Sequence, residues 1–460
     1  MLVFSTRNAI DFIFRPFKAD DAGNVDVTIV GTTGGRIQIS IYDSFIVGGF
    51  QYQIPNAQPS QQPAQLCCHS SHPDLSTHAL LFKPQTEEAG MVSSAVYMVP
   101  ADLTFIHSSP IDLSLLASKT TMLQNILRYI KQTQVHMVGE WQSTRELPAR
   151  FMAGVQEDLQ KLPKGRDIVQ ALFHTVVTGN VYPPVKEWLV DSLAERVRSP
   201  TAWHHQLANV LQGHKRWDKA VTSGLENLRA LIHENMIPAL QRAAIILSRL
   251  RGIARFEESD NDIGFTAAEI TKLIDIVQCL YAVSYKILRF LMKELVLFSK
   301  FSTWLRLEID KLASSTLTDE LLERQANVDF SKVLKYIKEH LTTSPMAVFF
   351  NDVEKEDYNK DWELAEDGAS LREMLEKQIQ RFQAGQPYMK ALPRLEFLVN
   401  YLTSRSEIVL KAIAETQRRR VRFAPTTKLE IDGNISRYDI RMCARRKTVS
   451  MFILGHRLCD

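Results

Sequence analysis

The chain has 460 residues, 45% of them apolar, which is enough for roughly two to four domains with sizeable cores. Its formal net charge of +3 gives no global argument for a nucleic-acid or membrane partner, and the basic character sits in the tail, where residues 418–460 hold eleven Lys/Arg against four Asp/Glu. Five cysteines (Cys67, Cys68, Cys279, Cys443 and Cys459) are odd in number and lack the spacing of a disulfide framework, so they read as those of a reduced intracellular protein.

Met1–Phe17 is interrupted by Arg7, Asp11 and Arg15 and does not read as a secretory signal. The first ~110 residues read as β-structure. Alternation over Val25–Ile29 and Arg36–Ile41 flanks the turn Gly31-Thr32-Thr33-Gly34-Gly35 and predicts a hairpin with one buried face. The Pro- and Gln-rich segment 55–65 reads as an exposed loop, and short strands are expected at 77–82, 92–99 and 102–106. Short strands with recurring turn signals suit a sandwich or a propeller.

The pattern changes at Ser109-Pro110-Ile111-Asp112, which has the residue types of a helix start. Apolar residues from Leu116 to Trp141 then recur at helical spacing, with a kink or break expected at Pro148. Shorter helices are expected over 167–195, broken at Gly179–Pro184. A long helix is expected over 215–256 with a bend at Pro238, and Thr266-Ala267-Ala268-Glu269 forms a capping box that opens another. That second helix carries Ile270, Leu273, Val277, Leu280, Ile287, Leu291, Phe298, Phe301, Leu305 and Ile309 on one stripe, and Trp304 is assigned to the core beside them. Asp275, Lys286, Arg289, Lys293 and Glu294 interrupt its apolar stretch and argue against a membrane span. Two one-sided helices of similar length joined by the short connector Glu257–Phe265 predict an antiparallel bundle across 111–313. Helices near 328–341, 369–384 and 393–417 follow, with acidic Asp352–Asp367 read as a loop. Alternating runs return at Lys428–Ile431, Ile435–Met442 and Thr448–Leu454.

Several groups carry residue types that chemistry could use. Cys67, Cys68, His69, His72 and His78 lack the paired spacing of zinc folds and read as a solvent-exposed polar loop. His204-His205 lies in a connector, and adjacent residues on a helix point about 100° apart, which is unsuited to joint chelation. Gly31–Gly35 lacks a following Lys-Ser/Thr and precedes a strand, so it reads as a hairpin turn, not a phosphate loop. Arg418-Arg419-Arg420-Val421-Arg422 fits nuclear import or an acidic partner, the simpler reading being a solvated helix end whose dipole the arginines complement. No catalytic, cofactor-binding or metal residue is assigned.

Several segments in order resemble the subunit 4 family of the anaphase-promoting complex. They are Ile41-Tyr42-Asp43-Ser44-Phe45; Leu250–Phe256 followed by Ile263-Gly264-Phe265; Phe298–Leu305; and Val328-Asp329-Phe330 leading to Ile337–Leu341. The resemblance covers most of residues 25–345. It implies a mainly α protein with β ends, a long antiparallel helical bundle inserted in a partial WD40-type β-propeller. Residues 1–110 would be partial blades, 111–345 the bundle domain, 346–425 an acidic loop with further helices, and 426–460 basic returning strands. The implied function is a non-catalytic platform in a ubiquitin ligase of the cell cycle, in nucleus and cytoplasm. Its implied partners are the large scaffold subunit and subunit 5, with no cofactor, nucleic acid, membrane or small-molecule substrate. A propeller needs at least four blades of about 40 residues. Residues 1–110 supply two and 426–460 one, so a fragment or partial gene model is expected. The alternative function is a propeller-plus-helix adaptor of a trafficking or tethering complex.

Overall fold

A computed structural model describes residues 26–41, 45–54, 64–73, 76–84, 95–108, 113–162, 165–197, 213–256, 263–314, 318–366, 370–430, 435–445 and 448–457. Met1–Phe17, Tyr42–Ser44, most of the 55–65 segment, Ser109–Asp112, His204-His205, most of the Glu257–Phe265 connector and Cys459 lie outside them. The described residues are mainly helical, with antiparallel sheets toward both ends of the sequence. Two compact units form, one from Leu127–Arg242 with Asp275–Leu402, the other from residues 26–126, Ala243–Ile274 and 403–457.

In the second unit the expected hairpin is present. β1 (Val27–Gly31) pairs antiparallel with β2 (Arg36–Ile41), and β2 with β3 (Phe45–Gln51). Ile37, Ile39 and Ile41 are buried, the inner face that alternation requires. β4 (Ala64–Ser71), β5 (Thr77–Pro84) and β6 (Ala95–Leu103) form a second antiparallel sheet. β3 and β4 were not foreseen, because Gly48-Gly49 and Cys67-Cys68-His69-Ser70 carry little strand propensity. The expected pair of strands at 92–99 and 102–106 is corrected to the single strand β6, which ends where Phe105–Ser108 turns into the short helix α1.

Strands β7 (Val421–Phe423) and β8 (Thr427–Glu430) complete this sheet from the far side of the helical region. Leu103 pairs with Val421 and Ala101 with Phe423, while Ala95 pairs with Glu430 and Met98 with Thr427. The register slips by one residue between the two stretches, with the Ala424 N–H donating to the Pro100 carbonyl at 2.9 Å. Strand β9 (Ile435–Arg445) pairs with β10 (Thr448–Arg457) and meets β4 where the Met442 N–H donates to Ser70 Oγ at 3.2 Å. More than three hundred residues of mostly helix therefore separate two strands that are hydrogen-bonded neighbours.

The helices are α2 (Leu113–Gln160), α3 (Ile168–Thr178), α4 (Pro183–Val197), α5 (Gly213–Ala230), α6 (Ile237–Phe256), α7 (Ala267–Ala313), α8 (Asp319–Ala326), α9 (Phe330–Glu339), α10 (Ala347–Phe350), α11 (Lys355–Glu366), α12 (Leu371–Gln383) and α13 (Leu395–Arg419). Of the kink or break expected at Pro148, the break does not occur: α2 runs on through it. Trp141, Thr144, Pro148, Met152, Val155 and Leu159 are buried on both sides of it, so packing holds the helix together where one backbone bond is missing. At Pro238 the chain instead inserts a π turn, Leu231–Met236, after which the Ile237 N–H reaches back to the Ile232 carbonyl. The wider turn makes room for a proline without an N–H. The capping box is realised in both directions, the Thr266 N–H donating to Glu269 Oε2 at 2.8 Å and the Glu269 N–H to Thr266 Oγ1 at 3.2 Å.

Within the first unit, contacts fix helix direction. Asn227 donates to Glu140 and Gly224 faces Thr144, so α5 runs antiparallel to α2. Trp217 meets Phe301 at 5.8 Å and Gln241 bonds Tyr281, so the α5–α6 strand of helix runs antiparallel to α7. This is the antiparallel arrangement that the connector demanded. The acidic segment Asp352–Asp367 is corrected from loop to helix α11. Tyr358 and Trp362 meet Phe397 edge to face at 5.1 and 5.7 Å, and Asp361 Oδ2 accepts from the Ala391 and Leu392 N–H groups at 2.7 and 3.1 Å. Two aromatics four residues apart provide a packed face that charge counting hides.

Candidate functional site

The sequence offered the Cys/His segment as the most chemical-looking group, and its reading as an exposed loop is corrected. Cys67, Cys68 and His69 lie on β4, His78 lies opposite on β5, and His72 and His78 are buried. A one-residue irregularity between Leu66 and Cys68 lets both cysteines occupy the strand, half-buried. His69 Nε2 and His78 Nδ1 are 2.8 Å apart and the rings stack at 5.1 Å, so one nitrogen carries the shared proton. Burial, with the neighbouring His69, pushes His78 down to about 4, Asp102 opposing. Burial pushes the Cys68 thiol up to about 11, with Cys67 and Asp439 adding. A thiol held that high is a poor nucleophile and a poor metal ligand at neutral pH. No group of three or more His, Cys, Asp or Glu suited to a metal ion occurs among the described residues.

Two polar clusters were invisible in the sequence because their members are far apart along it. In the second unit, Ser76 Oγ donates to Asp102 Oδ1 at 2.6 Å and sits 3.0 Å from His107 Nδ1. The three residue types are those of a hydrolase, but the connections are not. Asp102 and His107 both address the serine, whereas a triad needs the carboxylate on the far nitrogen of the imidazole. The cluster ties the β5 entry to the end of β6 and to α1.

In the first unit, Glu294 on α7 is 2% exposed and faces Arg145 of α2 at 3.6 Å, His340 Nδ1 at 3.2 Å and Ser344 Oγ at 3.4 Å. Arg145 also donates to the His340 and Thr343 carbonyls, and its guanidinium lies 5.1 Å from the Trp141 ring. Tyr336 stacks on His340 and on Phe301, and burial pushes its hydroxyl up, the Glu294 carboxylate adding. A carboxylate enclosed by a cation, an imidazole and a hydroxyl is a cross-brace between helices.

Gly31–Gly35 is the β1–β2 turn, closed by the Thr32 N–H donating to the Arg36 carbonyl at 2.8 Å, with Gly35 at φ +76°. The arginine run is divided. Arg418 and Arg419 end α13 and pair with Glu415, Arg418 also lying 5.5 Å from the Phe50 ring, and Arg422 is in β7. The Arg420 carbonyl accepts from the Thr104 N–H and hydroxyl, which locks the helix-to-strand corner beside β6. The run therefore does architectural duty at the point where the helical region rejoins the sheet.

Among the described residues no enclosed reactive centre emerges, and the conspicuous feature is a set of long helices braced from within. The profile described as anaphase-promoting complex, cyclosome, subunit 4 matches residues 97–212 and 198–315, from β6 through α7. Proteins named anaphase-promoting complex subunit 4 match more of the chain. That of Schizosaccharomyces pombe is 20% identical over 356 residues, 76% of this chain and 45% of its own length. Those of Mus musculus and Homo sapiens are 19% and 18% identical over 343 residues, 75% of this chain and 38% of theirs. The chain belongs to the anaphase-promoting complex subunit 4 family. It spans less than half the length of these subunit 4 relatives. The subunit 4 profile falls on α2–α7 and leaves Cys67, His69, His72 and His78 outside it.

Proposed function

We propose that the chain is a non-catalytic scaffold subunit of the anaphase-promoting complex, holding other subunits in place while they transfer ubiquitin to cell-cycle regulators during mitosis. The observation that carries this reading is the fall of the subunit 4 profile on α2–α7. The chemistry agrees. The thiols of Cys67, Cys68 and Cys279 are held high by burial, and Ser76, His107 and Asp102 of the second unit are wired for packing. The sheet β4–β5–β6–β7/β8 supports a WD40-type reading, in which one four-stranded blade is interrupted by the helical region and finished by the strands after it. The large scaffold subunit and subunit 5 are the proposed neighbours, and nucleus and cytoplasm the proposed locations.

Reconstitution tests this. Complex assembled without the chain should lose subunits and ubiquitin transfer together, and the purified chain alone should transfer no ubiquitin. Full assembly and activity in its absence, or transfer by the chain alone, would contradict the proposal.

A further inference from the structure

Helix α7 is buried on most of its circumference but leaves one narrow row exposed. Tyr285, Met292 and Val296 on this row are 52%, 46% and 51% exposed, and Arg289, Lys300 and Arg306 are exposed between and beyond them. Between Tyr285 and Arg306 the helix has a single acidic residue, Glu294, and that one is buried in the internal cross-brace. Helix α9 packs antiparallel beside it. Tyr336 stacks on Phe301 at 4.7 Å, and Lys293 pairs with Glu339 at 2.9 Å. The exposed side of α9 carries Lys332, Lys335 and Lys338. Asp329, at its N-cap, is held below the usual carboxylate range by its hydrogen bond to Lys332, with Lys300 adding. The two helices thus present one surface in which cations outnumber acids and apolar side chains lie in a row.

We propose that this face of α7 and α9 docks an acidic amphipathic helix of another protein in the assembly. The spacing of seven and four residues between Tyr285, Met292 and Val296 is the repeat that a partner helix offers. The surrounding cations select carboxylates on its flanks, setting orientation and encounter rate. Nucleic acid is less well matched, because phosphates gain nothing from a methionine and a valine set between the cations. This inference rests on the chain's working inside an assembly, since the occupant belongs to another protein.

The test places a photo-crosslinking phenylalanine at Met292 of the full chain, expressed in place of the unmodified one. Irradiation is followed by sedimentation and mass spectrometric identification of the joined peptide. The expected product is a segment of another protein with apolar residues at three- and four-residue steps and an excess of Asp and Glu. Arg289→Glu combined with Lys335→Glu should lower its yield about tenfold without moving the melting temperature, since both side chains are exposed. Co-sedimentation in a large assembly with no crosslink, or a crosslink to nucleic acid, lipid or a neutral or basic segment, would overturn the docking proposal alone. A chain that sediments by itself would overturn the scaffold reading with it.

Discussion

Removing one partner of the Glu294 cluster separates its stability contribution from its specificity. Arg145→Met leaves a carboxylate 2% exposed without its cation and should cost about 3–5 kcal/mol. Arg145→Met with Glu294→Leu should recover most of that loss, read as the denaturant midpoint, because an apolar pair of similar volume needs no desolvation of charge. The histidine pair gives a pH signature in the second unit. His78 is held down to about 4 from 6.5, so the unfolded chain takes up its proton first as pH falls. The associated stability is present above pH 6.5 and is lost progressively toward pH 4, amounting to about 3 kcal/mol at most. His78→Gln should flatten the pH dependence of the unfolding midpoint in that window. The Glu294 cluster was not legible in the sequence, and of the histidines the sequence showed the nearness of His69 and His78 but not their pairing. Arg145, Glu294 and His340 meet only because three helices cross, and His69 and His78 meet through a strand register that a one-residue irregularity sets.

Periodicity carried the long helices, and the departures came where packing overrode local rules. The stripe on α7 is buried at Leu273, Val277, Leu280, Ile287, Leu291, Phe298 and Phe301. Leu291→Asp would set a carboxylate there with no partner, and it should lower stability by several kcal/mol and the melting temperature with it. An unchanged melting temperature would contradict the seam. A kink or break was expected at Pro148 because a proline inside a helix costs about 3 kcal/mol, yet α2 continues through it, burial on both sides outweighing that cost. Pro148→Ala restores a donor for the Thr144 carbonyl and removes about two buried methylenes, worth roughly 1.6 kcal/mol together. The balance predicts a gain of about 1 kcal/mol, visible as a raised melting temperature. Helix α11 was missed for the opposite reason. Its charge suggested a loop, while Tyr358, Trp362 and Asp361, each directed at the segment before α13 or at α13 itself, decide its state.

At the scale of the whole molecule, the order strands, helices, strands was legible, and the pairing of β6 with β7 and β8 shows what joins the flanking strands. A helical region can be inserted between neighbouring strands when its antiparallel members return the chain to where it departed. What the sequence left open is which surfaces serve other proteins, because an exposed tyrosine or valine on a buried helix has no pattern of its own until the neighbours are placed. The central claim is that this chain works as a structural member of the anaphase-promoting complex. Native mass spectrometry of material purified through the tagged chain, without crosslinking, addresses that claim most directly. The account predicts a particle containing the chain in fixed stoichiometry with the other subunits of the ligase. Recovery of the chain alone, or with coat or tether proteins in their place, would contradict it.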